Sequence, residues 1–572
     1  MGTSKDKNLP AAIVGMACLF PRAGDLKGFW HLVRAGVDGI TEVPASHWKP
    51  EDYFHGDPKQ PDMTYCRRGG FLSPVSFDPT EFSLPPAVLE ATDTSQLLGL
   101  VAAKAALEDA GYGAGRTFER SMTSVILGVT GTLELVIPLG ARLGHPIWRQ
   151  ALLESGVDSE TAEEVVRRIS DGYVGWQENS FPGLLGNVVA GRIANRLDLH
   201  GTNCVVDAAC ASSLSAVHLA TLELTAGRAD MVVTGGVDTF NDIFMYMCFS
   251  KTPALSPSGQ IRPFDEKADG TLLGEGIGMV VLKRLEDAER DGDRIYAVIR
   301  GVGTSSDGNA QAIYAPYAPG QARCLRDAYR VAGIQPSTVE LVEAHGTGTR
   351  VGDAVEFEAL REVYSESNPE GRQWCAVGSI KSNLGHTKAA AGAAGMIKTA
   401  LALYHKVLPA TLKVDRPNPR LNLDESPFYL SGQSRPWVGT PEHPRRAALS
   451  SFGFGGSNFH LVLEEHRPER PAPAWDGSVR LLARSAASRQ ELLKLLEEDS
   501  QAPDLPRRAA ESAASFSPES PWRAVLVLHP ENRVGDLLES LKKGQPTPDA
   551  FLGEGVPPGK LAFLFPGQGS QT

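Results

Sequence analysis

The sequence predicts an α/β protein followed by a small α+β unit, and three observations carry that expectation. From about residue 10 to residue 466, short apolar strands alternate with helices rich in small residues. RPERPAPAWDGS (467–478) then breaks the pattern with proline and charge, as a boundary between domains does. Beyond it, strand and helix signals return over about 90 residues.

Composition narrows the class. Of 572 residues, 42% are hydrophobic and 22% charged, an ordinary globular balance that excludes a disordered, collagen-like or coiled-coil chain. The net charge of −12 argues against nucleic-acid binding, which needs a basic surface. There is no apolar run of about 18 residues to span a membrane. The opening MGTSKDKNLP lacks the apolar core of a signal peptide, and Asp6 sits where a myristoylation signal needs Ser or Thr. Seven scattered cysteines fit a reduced, cytoplasmic chain. Cys204 and Cys210 match no zinc spacing, GEGIG (274–278) and GFGG (453–456) lack the full dinucleotide pattern, and no GxxxxGK[ST] loop is present. The expected chemistry is free of metal and of nucleotide.

Within the large region, NCVVD (203–207) reads as a strand that meets Ala208–Ala209–Cys210 and then the helix SSLSAVHLATLEL. LVEAHGTGT (341–349) is a strand ending in a Gly/Thr loop. CAVGSI (375–380) is a strand that meets a polar loop and then the helix TKAAAGAAGMIKTALALYHK (387–406). Both helices carry small faces, which suits two central helices in close contact, and the shared layout hints at two similar halves. In the small unit, VRLLA (479–483) is a strand, and Ser488 with Glu491 forms a capping box ahead of a helix through Leu492, Leu493 and Leu496. A strand at 524–528, a helix near 537–541 and a strand LAFLF (561–565) follow.

Three junctions carry candidate chemistry, at places where α/β folds bind ligands. Cys210, between strand and helix, would face the electropositive helix end, which favours a thiolate and an oxyanion. Small neighbours Ala208, Ala209, Ala211 and Ser212 leave it accessible, although a buried structural cysteine fits the same pattern. His345 at a strand end and His386 in KSNLGHT (381–387) can each point into a cleft, or be core or surface histidines. Together they offer a thiolate that holds an acyl chain as a thioester and two neutral imidazoles that donate to an enolate. Lys381 and Glu356 would form an ion pair that orients the second histidine, or a surface pair of little energetic value.

At VDAACASSL (206–214), EAHGTGT (343–349), KSNLGHTKAAAG (381–392), SSFGFGGSNFHLVLEE (450–465) and RPFDEKADGTLLGEGIG (262–278), the sequence closely resembles the β-ketoacyl synthase domains of type I polyketide and fatty acid synthases. Segments 69–98 and 178–210 look most like the iterative synthases of polyunsaturated fatty acids, with enediyne-type synthases close behind. The resemblance implies a thiolase fold of two similar halves, with layers αβαβα, and a homodimer. It implies Cys210 as acylated nucleophile, His345 and His386 in decarboxylation and condensation, Lys381 and Glu356 as a supporting pair, and Asp353 in the same network. Thr347 and Thr349 would contact the phosphopantetheine arm, and the N–H groups of Cys210 and Phe454 would form the oxyanion hole. Ala211 stands where many members carry Ser, which bears only on helix capping.

The expected organisation is a ketosynthase over 8–466, a ketosynthase-to-acyltransferase linker over 467–560, and the start of an acyltransferase over 561–572. LAFLFPGQGSQ (561–571) resembles that domain's opening strand and oxyanion loop, so the sequence is expected to be a piece of a longer chain. The expected reaction is decarboxylative Claisen condensation of malonyl-carrier protein with an acyl chain on Cys210. No cofactor is expected on this chain; phosphopantetheine arrives on acyl carrier protein. The competing readings are a non-elongating docking module and a degradative thiolase. The first commonly loses the first histidine, which this sequence keeps; the second normally needs another active-site cysteine, which no motif here supplies. FMYMCF (244–249) is a candidate wall of the acyl pocket or ordinary core.

Overall fold

The computed structural model describes residues 9–466 and 479–555, apart from 114–115, 132, 310–311, 441, 503–504, 530–531 and 546. It separates into two compact units, Met1–Arg467 and Pro468–Thr572. The principal elements of the first half of unit one are β1 (Ala11–Leu19), α1 (Thr94–Asp109), β2 (Thr123–Val129), β3 (Asn203–Val206), α2 (Ser212–Thr225), β4 (Met231–Asp238) and β5 (Gly276–Arg284). Those of the second half are β6 (Ala297–Ser306), α3 (Ala318–Ala332), β7 (Leu341–Glu343), α4 (Arg350–Ser367), β8 (Cys375–Gly378), α5 (Ala391–His405), β9 (Phe428–Leu430), β10 (Arg446–Gly453) and β11 (Ser457–Glu464).

The halves share one topology. In the first, β1 and β5 pair antiparallel, β5 and β4 antiparallel, β4 and β2 parallel, and β2 and β3 parallel. In the second, β6, β11, β10, β7 and β8 repeat that series of pairings in the same order, and β9 adds a parallel edge. Ala11–Ile13 of β1 pair with Ala297–Ile299 of β6, which joins the halves into one 11-stranded sheet. The duplication expected from the two strand–helix junctions is present.

Strand periodicity sorts side chains into layers. Ile126 of β2 points into a central core with Leu214 and Val217 of α2 and Met396 and Ile397 of α5, while Val125 and Leu127 point the other way, toward Leu100 and Ala103 of α1. In the second half Leu341 and Leu449 face the central core, and Val342 and Ala448 face Leu325 of α3 and Leu360 of α4. The order is helix, half-sheet, α2 with α5, half-sheet, helix: the five-layer thiolase arrangement. Strands covered on both faces read as near-continuous apolar runs, as β1 does.

Small residues permit the central contact. Ala393 N–H donates to Ser213 Oγ at 2.9 Å, and a Cβ on Gly392 would come within 2.7 Å of Leu214 Cγ. No helix among the described residues is long and apolar enough to cross a membrane.

The second unit pairs β12 (Arg480–Ala486), β13 (Trp522–Leu528) and β14 (Ala550–Glu554) antiparallel, with α6 (Arg489–Ser500), α7 (Leu505–Ser515) and α8 (Val534–Lys543). Leu482, Leu492, Leu496, Leu526 and Leu538 form its core. Ser488 Oγ caps the Glu491 N–H at 3.2 Å, and the Glu491 carboxylate reaches back to Ala487 N–H, one residue before the position a capping box uses. The expected strand at 561–565 lies outside the described residues, as does the 467–478 boundary segment. Helix α7 and strand β14 were not expected from the sequence; α7 is alanine- and serine-rich and β14 begins beside a turn, so neither shows a strong period.

A Cβ on Gly128 of β2 would lie 2.4 Å from backbone atoms of Ser212 and Ser213 at the start of α2. Gly128→Ala should therefore destabilise the fold by about 1–3 kcal/mol, read as a lower thermal midpoint, because backbone cannot yield as a side chain can.

Candidate active site

Cys210 sits on a sharp turn. Strand β3 ends at Val206, Ala209 takes a left-handed φ of 50°, and a single 3-10 turn (Ala209–Ala211) leads into α2. For a residue with a Cβ this conformation costs about 1–2 kcal/mol and persists only where neighbours hold it. They do so densely. Asp207 Oδ1 accepts from Ala209 N–H at 2.9 Å; Ser212 Oγ donates to Ala209 O at 2.6 Å and accepts from Ala208 N–H at 2.9 Å. From β10, Ser451 Oγ donates to the Cys210 carbonyl at 2.7 Å, and Gly453 comes so close that a Cβ there would lie 2.1 Å from Ala208 O. Ala211 is the N-cap of α2 and gives it no side-chain bond, so Ser212 spends its hydroxyl on the turn instead.

His345 is positioned through its backbone. The Glu356 carboxylate accepts from His345 N–H at 2.7 Å and Gly346 N–H at 2.8 Å, and Lys381 Nζ donates to the His345 carbonyl at 2.5 Å. Lys381 and Glu356 were expected to pair directly and do not. They hold opposite edges of the same peptide segment, because buried backbone groups need partners as much as the charges do. Asp353, in the first turn of α4, accepts from Phe264 N–H at 2.8 Å and Gly348 N–H at 3.0 Å. Thr347 and Thr349 share a hydroxyl contact of 3.0 Å, and Thr349 caps α4 through Gly352 N–H. Burial pushes the carboxyls of Asp353 and Glu356 up to about 7 against these hydrogen bonds.

The two imidazoles meet edge to face, with ring centroids 5.5 Å apart. His386 Nδ1 accepts from Lys388 N–H at 3.1 Å, and His345 Nδ1 accepts from Phe452 N–H at 3.4 Å. An Nδ1 that accepts leaves the ring proton on Nε2. Burial, then the nearby Lys381, hold both rings well below the usual histidine range, so both are neutral Nε2–H donors at neutral pH.

The Cys210 thiol departs from expectation. Burial pushes it up to about 11, against the opposing charges of Lys381 and Lys388. The helix end was expected to favour a thiolate; enclosure of the sulfur outweighs it. Cys210, His345, His386, Thr347, Thr349, Glu356 and Phe454 line one cavity of about 670 Å³. Lys381 and Asp353 stand behind that wall, both buried. The Phe454 N–H finds no acceptor among the described residues, and the Cys210 N–H faces its own thiol. Of FMYMCF, only Phe249 reaches the cavity, where it stacks on Phe454; Tyr246 is buried in a separate core.

Comparison with known proteins completes the picture. The families described as Beta-ketoacyl synthase, N-terminal domain, and Beta-ketoacyl synthase, C-terminal domain, match residues 9–288 and 296–415. The chain belongs to the β-ketoacyl synthase family. The Ketoacyl-synthetase C-terminal extension matches 417–527, reaching into the second unit. One chain of the polyunsaturated fatty acid synthase of a Thraustochytrium species is 45% identical over 497 residues, 85% of this chain and 17% of that protein. Polyketide synthase GfsA of Streptomyces halstedii is 36% identical over 583 residues, 98% of this chain and 7% of that protein. The ketosynthase of module 6 of the Bacillus subtilis bacillaene synthase superposes with a TM-score of 0.70 at 32% identity, covering 95% of this chain and 87% of its own. The oxazolomycin ketosynthase domain OzmH KS7 of Streptomyces albus gives 0.72 at 30%, covering 96% and 90%.

Reading the sequence did not single out Ser451, Lys388, Asp238 or Glu343 in this ketosynthase. Glu343 accepts from Ile380 N–H at 2.6 Å and from Lys398 Nζ at 2.5 Å, and so holds the turn that carries Lys381. Ser451, Lys388 and Glu343 lie inside motifs already noticed and Asp238 lies in none, but each has a partner remote in sequence, which no spacing rule reveals. The high thiol value gives a direct expectation. Thiolate supply should grow as pH rises, so the rate of Cys210 alkylation by iodoacetamide, followed by intact mass, should climb without levelling until about pH 11. A plateau below pH 8 would contradict the buried, protonated thiol.

Proposed function

We propose that this ketosynthase forms a carbon–carbon bond by decarboxylative Claisen condensation. The observation that carries the reading is one cavity in which a buried thiol faces two imidazoles fixed as neutral Nε2–H donors. Cys210 Sγ attacks the thioester of an acyl chain on phosphopantetheine, with the oxyanion held by the Cys210 and Phe454 N–H groups, and the thiol proton leaves with the departing carrier sulfur. Malonyl on a second carrier then loses carbon dioxide. Its enolate oxygen takes hydrogen bonds from His345 and His386, and its carbon attacks the Cys210 thioester, breaking the acyl–Sγ bond so that Cys210 leaves as thiolate and regains a proton from solvent, and a β-ketoacyl chain two carbons longer remains on the carrier. Thr347 and Thr349 flank the path of the arm. Lys381, Glu356 and Asp353 keep the His345 loop in place.

The likeness to the polyunsaturated fatty acid synthase supports a synthase of that type, with acyl carrier protein and an adjoining acyltransferase as partners. A ketosynthase over 8–466, a linker over 467–560 and an acyltransferase start over 561–572 remain the proposed division. A homodimer is supported by β3, an edge strand whose Cys204, Val205 and Val206 are only half-buried. Light scattering should give twice the chain mass, and a monomer at micromolar concentration would remove that part of the proposal.

Intact mass with an acyl-phosphopantetheine donor should show one acyl adduct on the wild type and none on Cys210→Ala. His345→Ala should keep acyl loading while release of carbon dioxide from a malonyl thioester falls by about 10²-fold or more. Adduct formation with no chain extension by the wild type would favour a non-elongating module instead. Absence of any adduct across a range of donors would end the condensing reading.

A further inference from the structure

The chain builds the Cys210 turn twice. Ala209 (φ 50°) opens the 3-10 turn 209–211 directly before α2, and Lys388 (φ 46°) opens the 3-10 turn 388–390 directly before α5. In the first half the turn presents a thiol. In the second, the residue in the left-handed position is a lysine, and it is buried.

A left-handed, buried lysine must be held. Lys388 Nζ donates to the Gly274 carbonyl at 2.8 Å and pairs with Asp238 Oδ1 at 3.0 Å, both side chains at most 6% exposed. The other carboxylate oxygen of Asp238, at the end of β4, accepts from Ala389 N–H at 3.2 Å. One pair therefore ties both ends of the Lys388–Ala389 segment to the first half-sheet. The fit is close: a Cβ on Gly236 of β4 would lie 2.6 Å from Ala389 O. Held this way, Lys388 N–H meets His386 Nδ1 at 3.1 Å. The groups that act on Cys210 are Lys381, Lys388 and Asp238, with the His345 and His386 rings and Glu356 on the cavity wall. Those that act on His386 are Lys381, His345 and Lys388.

We propose that Lys388 and Asp238 are positioning residues for the condensation: the pair anchors the turn whose N–H keeps the His386 proton on Nε2, and it places two charges of opposite sign, the Lys388 ammonium and the Asp238 carboxylate, near Cys210. This rests on the condensing reading for its chemical consequence, but its electrostatic half can be read without any turnover. The two members of the pair act on the thiol with opposite sign, whereas mere structural damage would move both variants the same way.

The test uses the full chain with Lys388→Met, Lys388→Arg and Asp238→Asn. The pH profile of Cys210 alkylation by iodoacetamide is one readout; carbon dioxide release from malonyl-phosphopantetheine is the other. Lys388→Met should move the alkylation midpoint up by about one pH unit and Asp238→Asn should move it down, since each removes a charge of known sign close to the sulfur. Lys388→Met should slow decarboxylation by about tenfold with little change in KM, and Lys388→Arg should restore most of it. Midpoints that shift together, or do not shift, in variants that keep a cooperative thermal transition would overturn the proposal. So would failure of Lys388→Arg to recover more activity than Lys388→Met. If Lys388→Met does not fold, a downward midpoint in Asp238→Asn with no shift in Lys388→Arg supports the proposal, and a shift in the same direction in both, or in neither, overturns it. A wild type that alkylates normally but releases no carbon dioxide would defeat the condensing reading, while the opposite shifts would still establish where the pair acts.

Discussion

Everything in the site depends on how closely α2 and α5 approach. The two helices follow equivalent strands, α2 after the turn that carries Cys210 and α5 after the segment that carries Lys381 and His386, so the distance between the helices bears on the distance between those groups. A Leu or Phe in place of Gly392 would collide with Leu214 and force the two helices apart, and Cys210 and His386 would no longer share a cavity. The runs of Ala, Gly and Ser along these helices are thus a geometric requirement of the chemistry.

The same burial that brings the groups together governs their charge states. Enclosure holds the imidazoles neutral and the thiol protonated, and it raises the carboxyls behind them. A site built this way starts almost uncharged where substrate enters, with its cations a step behind the wall. Negative charge that develops during reaction then meets fixed N–H donors and nearby ammonium groups rather than mobile water.

The sequence revealed much of this, and where it failed the reason is physical. The two strand–helix junctions showed their common layout because small residues at helical spacing are a local signal, and Cys210, His345 and His386 stood in it. The family likeness supplied Asp353, Thr347, Thr349 and Phe454. What stayed hidden was which atom meets which. Lys381 and Glu356 look like a salt bridge on paper, yet each is committed to backbone of the His345 loop. Lys388 sits inside a quoted motif, but its partner Asp238 is 150 residues earlier on another half-sheet. The thiol's state depended on enclosure by segments from both halves, which a helix-end argument made from nine residues leaves out.

Two copies of one turn, at Ala209 and at Lys388, have come to differ in what they offer. One carries the thiol proposed to be acylated; the other carries a buried lysine that reaches across to Asp238 of the first half-sheet. The fold's symmetry is therefore one of scaffold alone. Two identical halves would have offered two equal turns facing each other. Division of labour between them turned a repeated shape into a single asymmetric workplace, and neither half retains a site of its own.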